Sequence, residues 1–382
     1  MPSMTPRQRV MAALSHKQPD RVPIDLGSTT VTGITTTAYE RVRSRLGLPN
    51  QETKIYDRIS QLAIVEPDAM DLLGIDIRGI KAGAADDRPD IEWTEGDGFT
   101  NEWGLLWTRS DTANLYFVAN APLSGEISKA DILHYPWPDP DDKGRRRGLQ
   151  EKVREIRAQG DYAILLPLQT GFVQMSQLLR GFREWYSDIA LHPDLICFLM
   201  DQIMEIEMAI AGNLLDEVGD LIDVLMHFDD LAIQDRTIVS PAMYRKLIEP
   251  RLRIFYEFLH SRTKAKLIHH SDGAIAPFIE SLIDIGIDGL NPVQISAKGM
   301  EDIRTLKEKY GSRITFWGGV DTQSILPFGT QEEVREHVQW LVDELNQDGG
   351  FVLCSCHNIL QDVPGENIIT VYETALNHPI KR

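Results

Sequence analysis

The residues with the most chemistry per position lie in Leu267-Ile-His-His-Ser-Asp-Gly273, an apolar run that ends in two imidazoles, a hydroxyl and a carboxylate before turning on glycine. A run of this kind, bounded by Gly and leading into a helical pattern, predicts a buried parallel strand that ends in polar side chains. Asp229-Asp230 and Cys356-His357-Asn358 repeat the pattern at the ends of other apolar runs. Two kinds of chemistry fit these residue types. Carboxylates beside His270 and His357 make a general acid/base site, because imidazoles titrate near neutral pH. Alternatively, imidazole, carboxylate and thiol groups converging from separate strands hold zinc, which takes three protein ligands and keeps one position for substrate.

The elements that would position them follow from the spacing of apolar runs. Eight strands are predicted, within 21–27, 74–80, 163–167, 222–228, 266–270, 286–292, 314–319 and 351–355, with helical patterns between most of them. Thr5-Pro6 opens an N-terminal helix bearing Val10, Met11 and Leu14 on one face, with Thr5 as its cap. Residues 91–118, rich in aromatics, Gly and Asp without a helical period, read as an inserted antiparallel ribbon, and Pro136-Trp-Pro-Asp-Pro is the strongest loop signal. Gly318-Gly319 has no third glycine at dinucleotide-binding spacing, which disfavours a doubly wound sheet. The expected fold is therefore α/β: a single (β/α)8 TIM barrel over 1–382, with an N-terminal helical extension and the inserted ribbon.

In such a barrel the residues just past each strand share one mouth. The candidates there are Asp25, Asp76 and Arg78, Gln169, Asp229 and Asp230, His270 and Asp272, Asn291 and Gln294, Asp321, and the Cys356-His357-Asn358 run. Asp76, Asp230, His270 and His357 are taken as the acid/base set. Asp25, Gln169, Asn291, Gln294 and Asp321 are taken as substrate-orienting groups.

With 382 residues, 42% of them hydrophobic, the chain is long enough for one large barrel. A formal net charge of −18 argues against nucleic acid or an anionic membrane as partner, since both require clustered Lys and Arg. No apolar run approaches a membrane span and the N-terminus has no signal-peptide core, so a soluble cytoplasmic protein is expected. Three cysteines exclude a disulfide framework.

Arg21-Val-Pro, Arg180-Gly-Phe, Ser240-Pro with Glu249-Pro250, His270-Ser-Asp-Gly273, Asn291-Pro-Val-Gln294, Trp317-Gly-Gly-Val-Asp321 and His357-Asn-Ile with Pro364-Gly-Glu-Asn367 together resemble the uroporphyrinogen decarboxylase-like superfamily, from about residue 5 to the C-terminus. That resemblance implies a (β/α)8 barrel and two branches of activity, a cofactor-free decarboxylase and cobalamin-dependent methyltransferases. In the decarboxylase branch Asp76 would match the catalytic aspartate and His357 a late histidine. Its substrate-binding arginines, however, would fall where this chain reads Val22-Pro-Ile-Asp-Leu-Gly27. Methyltransferases acting on coenzyme M resemble a His-x-Cys plus late Cys pattern, here His270-Ser271-Asp272 with Cys356 or His357. Those of aryl-methyl-ether demethylation resemble a Glu, Glu, His spacing that falls on Gln234, Glu249 and His270. The resemblance thus implies a methyltransferase moving a methyl group between a small methylated donor or acceptor and a corrinoid protein. It also implies zinc on His270, Glu249, Asp272 or Cys356. No Asp-x-His-x-x-Gly loop is present, so the corrinoid is expected on a separate protein. A homodimer is left open.

Overall fold

The structure, a computed structural model, describes residues 3–86, 92–93 (backbone only), 98–110 and 115–379. Seven strands form one parallel sheet in sequential order: β1 (Ile77–Gly79), β2 (Ala163–Thr170), β3 (Val224–Phe228), β4 (Lys266–His270), β5 (Gly289–Asn291), β6 (Thr315–Val320) and β7 (Phe351–Ser355). The eighth stave is the extended segment 22–26, which bonds on both sides. Asp25 N–H donates to Leu353 O (2.9 Å) and Leu353 N–H to Pro23 O (2.9 Å), while Asp76 N–H donates to Ile24 O (3.0 Å). Those bonds shut the ring, giving the (β/α)8 barrel that the strand count predicted. Beyond the segment, Gly33 N–H donates to the Asn358 side chain (2.8 Å), tying residues 325 apart.

Alternation along each strand separates two cores, as the period of two requires. Ile77, Ala163, Leu165, Val224, Met226, Ile268, Trp317, Val352 and Cys354 point inward and fill the barrel. Leu225, Leu267, Leu290, Phe316 and Leu353 point outward into the larger layer shared with the helices. Helix α1 (Pro6–Ala13) plugs the N-terminal end of the barrel, contributing Val10 and, just past its end, Leu14 to the inner core. Its start is fixed as the sequence predicted: Pro6 occupies the first turn, and Thr5 and Gln8 cap each other reciprocally. Each buried plug side chain stabilises the closed end by about 1.5–3 kcal/mol.

The inserted ribbon is a four-stranded antiparallel sheet of Glu92–Trp93, Gly98–Thr100, Leu106–Arg109 and Tyr116–Val118. Ile91, where it was expected to begin, lies outside the described residues. The ribbon's turn reaches the barrel through Glu102, which pairs with Arg145 (2.6 Å) and accepts from Gln169 Nε2 (3.0 Å) at the end of β2.

At the opposite end, one device recurs three times. Asp76, Asp223 and Asp288 each stand just before a strand and accept a backbone N–H from the preceding strand: Ile24 (2.9 Å), Ile164 (3.0 Å) and Leu267 (2.9 Å). Each also pairs with cations: Asp76 with Arg9 (2.6 Å) and Arg21 (2.7 Å), Asp223 with Arg7 (2.8 Å) and Arg157 (2.9 Å), and Asp288 with Lys266 (2.7 Å). Asp76 is therefore not a mouth residue. It precedes β1, so it lies at the N-terminal end of the barrel, away from His270. Arg78 also leaves the mouth: its side chain stacks on Tyr162 (3.8 Å to the ring centre) and pairs with Asp71 (2.8 Å).

Candidate functional site

The C-terminal ends of β3, β4 and β7 converge on one cluster. His270, the last residue of β4, turns its Nε2 toward Asp230 Oδ1 and Asp272 Oδ1, each 3.9 Å away. His357, just past β7, faces the other oxygen of Asp272 across 3.8 Å. The two imidazole rings lie 6.0 Å apart. His270, Asp272 and His357 offer ligand atoms within 4.8 Å of one another, a suitable group for a metal ion.

The local chain explains why these groups meet. Ser271 Oγ accepts Leu231 N–H (2.9 Å) and Asp230 Oδ1 accepts Asp272 N–H (2.9 Å), so the turns after β3 and β4 hold each other. The chain then reverses at Gly273, with φ +90°, where a Cβ would come within 2.5 Å of Ile233 O. Only glycine fits that turn. Gly273 N–H donates to Gln294 Oε1 (2.7 Å), which brings in the loop after β5.

Electrostatically the mouth is acidic. Among the described residues no Lys or Arg pairs with Asp230 or Asp272. Burial, with the Asp272 charge added, raises the carboxyl of Asp230 above its ordinary range, opposed by His270 and His357. Asp229, one residue earlier, is turned the other way. It accepts Val173 N–H (3.1 Å) and Gln174 N–H (2.8 Å) at the start of helix α2 (Phe172–Arg180), capping that helix from another strand. Complete burial pushes its carboxyl up to about 8. Asp25 is also fully buried, held by Ser28 Oγ (2.8 Å) and Trp317 Nε1 (3.3 Å), and pushed up to about 6 by burial.

The other predicted residues are distributed unevenly. Gln294 serves Gly273 and donates to Gln234 Oε1 (3.2 Å), and Gln169 is bonded to the ribbon. Asp321 caps its own turn by accepting Gln323 N–H (2.8 Å). Glu249 is not brought to His270: it opens helix α3 (Glu249–Arg262) and pairs with Arg253 one turn on (3.3 Å). Cys356 also stays out of the His270, Asp272 and His357 group. Its Sγ lies 3.5 Å from Val293 O, and burial pushes the thiol up to about 12, which keeps it protonated. His269 faces outward, as strand alternation requires, with Nδ1 2.7 Å from the Tyr256 hydroxyl, which His227 Nδ1 shares at 3.0 Å. Sequence reasoning missed Gln174, whose Nε2 donates to Asp230 Oδ2 (2.8 Å). A glutamine in a helix's first turn carries no signal of that contact.

The barrel agrees with the comparisons. The uroporphyrinogen decarboxylase (URO-D) profile matches residues 122–378, most of the chain. The chain belongs to the URO-D family. Among solved structures it resembles a methyltransferase from Methanosarcina mazei, at 19% identity and a TM-score of 0.67, with 98% of each chain covered. That likeness extends the fold assignment to nearly the whole length. A hyperthermophilic beta-glucosidase from Pyrococcus furiosus aligns at 11% identity and a TM-score of 0.44, over 95% of this chain and 96% of its own, and adds nothing further. Among curated proteins none matches. Among the described residues no helix is long and apolar enough to cross a membrane.

Proposed function

We propose that this URO-D family chain is a methyltransferase that moves a methyl group between a small methylated substrate and a corrinoid protein, assisted by a metal ion. The observation that carries the reading is the convergence of His270, Asp272 and His357 at the barrel mouth. Two imidazoles and one carboxylate suit zinc in kind and number, since a catalytic zinc takes three protein ligands and keeps a position open. When bound, zinc would supply Lewis acidity to the substrate heteroatom. Asp230, adjacent to the group and held by Gln174, is the acid/base group available to give a proton to that heteroatom as its methyl leaves, and to take the proton back when the methyl returns. Gln294, which accepts Gly273 N–H and donates to Gln234, would orient the substrate. The methyltransferase likeness of the barrel supports this branch, and the corrinoid partner rests on the superfamily resemblance alone.

The acids at the mouth argue against the decarboxylase branch, because Asp230 and Asp272, with no Lys or Arg partner among the described residues, repel a polycarboxylate. Two measurements test the reading. Protein purified without a histidine tag is expected to bind about one equivalent of zinc, as three ligands at one site imply. Uroporphyrinogen is expected to show no decarboxylation. Absence of zinc binding, or enzyme-like decarboxylation, would overturn it.

A further inference from the structure

Asn291 was expected to touch substrate, yet its side chain is fully buried and both ends of its amide are engaged within the protein. The register of β4 against β5 sets Asn291 beside His270, and Asn291 Oδ1 lies 2.6 Å from His270 Nδ1. At the other end Nδ2 faces Trp317 O (3.5 Å) and Cys354 Sγ (3.9 Å).

Those neighbours decide which way the amide points. Trp317 O is an acceptor only. The Cys354 thiol donates to Ser355 O (3.1 Å), so its sulfur offers a lone pair to Asn291. An amide oxygen turned toward two acceptors would be repelled, so the NH2 group lies there and the oxygen faces the imidazole. An oxygen facing Nδ1 requires the proton on Nδ1. Asp230 and Asp272, each 3.9 Å from Nε2, lie beyond hydrogen-bond distance and do not hold a proton there, so Nε2 is left with its lone pair facing the mouth.

We infer that Asn291 is a positioning residue: backed by Trp317 and Cys354, it fixes the tautomer of His270 so that Nε2 is presented to the mouth as a ligand or base. This rests on the metal reading only for its effect on zinc; the tautomer follows from the hydrogen bonds alone. A neutral amide also enriches the imidazole less than a carboxylate partner would. Asn291 therefore sets the ring's orientation without maximising its affinity.

The test begins with the wild-type protein free of metal, above the titration range of imidazole. Nitrogen-15 NMR should find His270 protonated at Nδ1 and bare at Nε2; a His270 protonated at Nε2 would overturn the inference. Asn291→Leu should mix the two tautomers and weaken zinc binding by about 10–100-fold, the usual cost of losing such a partner. Asn291→Asp keeps an acceptor and should retain the Nδ1–H tautomer, with zinc affinity at or above the wild-type level, so a loss confined to Asn291→Leu is not merely a packing defect. If the tautomer behaves as described but the wild type binds no zinc, the metal reading fails and the positioning role stands. If the wild type binds zinc and Asn291→Leu changes neither tautomer nor affinity, the positioning role fails and the metal reading survives.

Discussion

The two ends of the barrel use the same residue in opposite ways. At the closed end Asp76, Asp223 and Asp288 are each bonded to a strand N–H and to at least one cation, with every charge compensated within the fold. At the open end Asp230 and Asp272 face imidazoles across 3.8–3.9 Å and have no Lys or Arg partner among the described residues. A compensated carboxylate resists change and contributes stability. One left short of partners is available to an incoming cation, proton or substrate. The contrast predicts that mutations at the two ends separate into stability effects and binding effects.

The largest effect should come from the closed end. Asp76→Ala leaves Arg21 without its carboxylate and Arg9 with Asp20 alone, and frees the buried Ile24 N–H, so a loss of about 3–5 kcal/mol is expected in urea unfolding. Surviving folded protein should keep its zinc affinity. If zinc affinity fell while stability held, Asp76 would belong to the site after all.

His270→Ala is the matching change at the open end. It should remain folded, losing about 1–2 kcal/mol because the buried Asn291 Oδ1 is left without its donor, yet bind zinc on the order of 100-fold more weakly or worse, since a direct ligand matters at least as much as its outer partner. His269→Ala should keep the metal and lose about 1–2 kcal/mol of stability through its broken bond to Tyr256. Equal zinc loss in both variants would mean that strand alternation does not separate the two imidazoles.

Asp229 sharpens the comparison, because it sits at the open end but faces the core. Its carboxyl is pushed up to about 8 from an ordinary 3.8, so the folded state holds this proton more tightly than the unfolded chain. That contribution is full below about pH 4 and is lost as pH rises toward 8. Asn cannot ionise. Relative to wild type, Asp229→Asn should therefore gain about 1.4 kcal/mol for each pH unit across that window, read from urea midpoints at three pH values. A difference that does not change with pH would show that Asp229 titrates normally.

The smallest effect is expected outside the barrel. Glu249 is partly exposed and pairs with Arg253 on its own helix. Glu249→Gln should leave zinc binding unchanged and cost at most about 0.5 kcal/mol. A marked loss of metal would restore it to the ligand set.

These cases mark what the sequence conveys. Apolar runs punctuated by glycine located all eight staves, and Thr5-Pro6 located the plug helix, because those signals are local. The polar ends of the runs at His270 and His357 pointed to the mouth for the same reason. Asp76 was misplaced because an acid beside a buried strand looks alike at either end; that it precedes Ile77 rather than following Gly79 was the available clue. Glu249 was chosen by its distance along the chain from His270, which says nothing about which face of an outer helix it occupies. The contact between Asn291 and His270 depends on strand register, and the contact between Gln174 and Asp230 on how two loops fold together. Neither arrangement has a local signature.

The segment 22–26 that closes the ring has β7 as one neighbour, and the pair Gly33 and Asn358 beyond it joins residues 325 apart. During synthesis, the first stave to leave the ribosome must wait for nearly the last before its edge is covered. Until then the nascent sheet exposes unpaired backbone at both margins, the condition in which strands recruit foreign partners. The seam of this barrel is thus also the point at which its folding is most exposed to error.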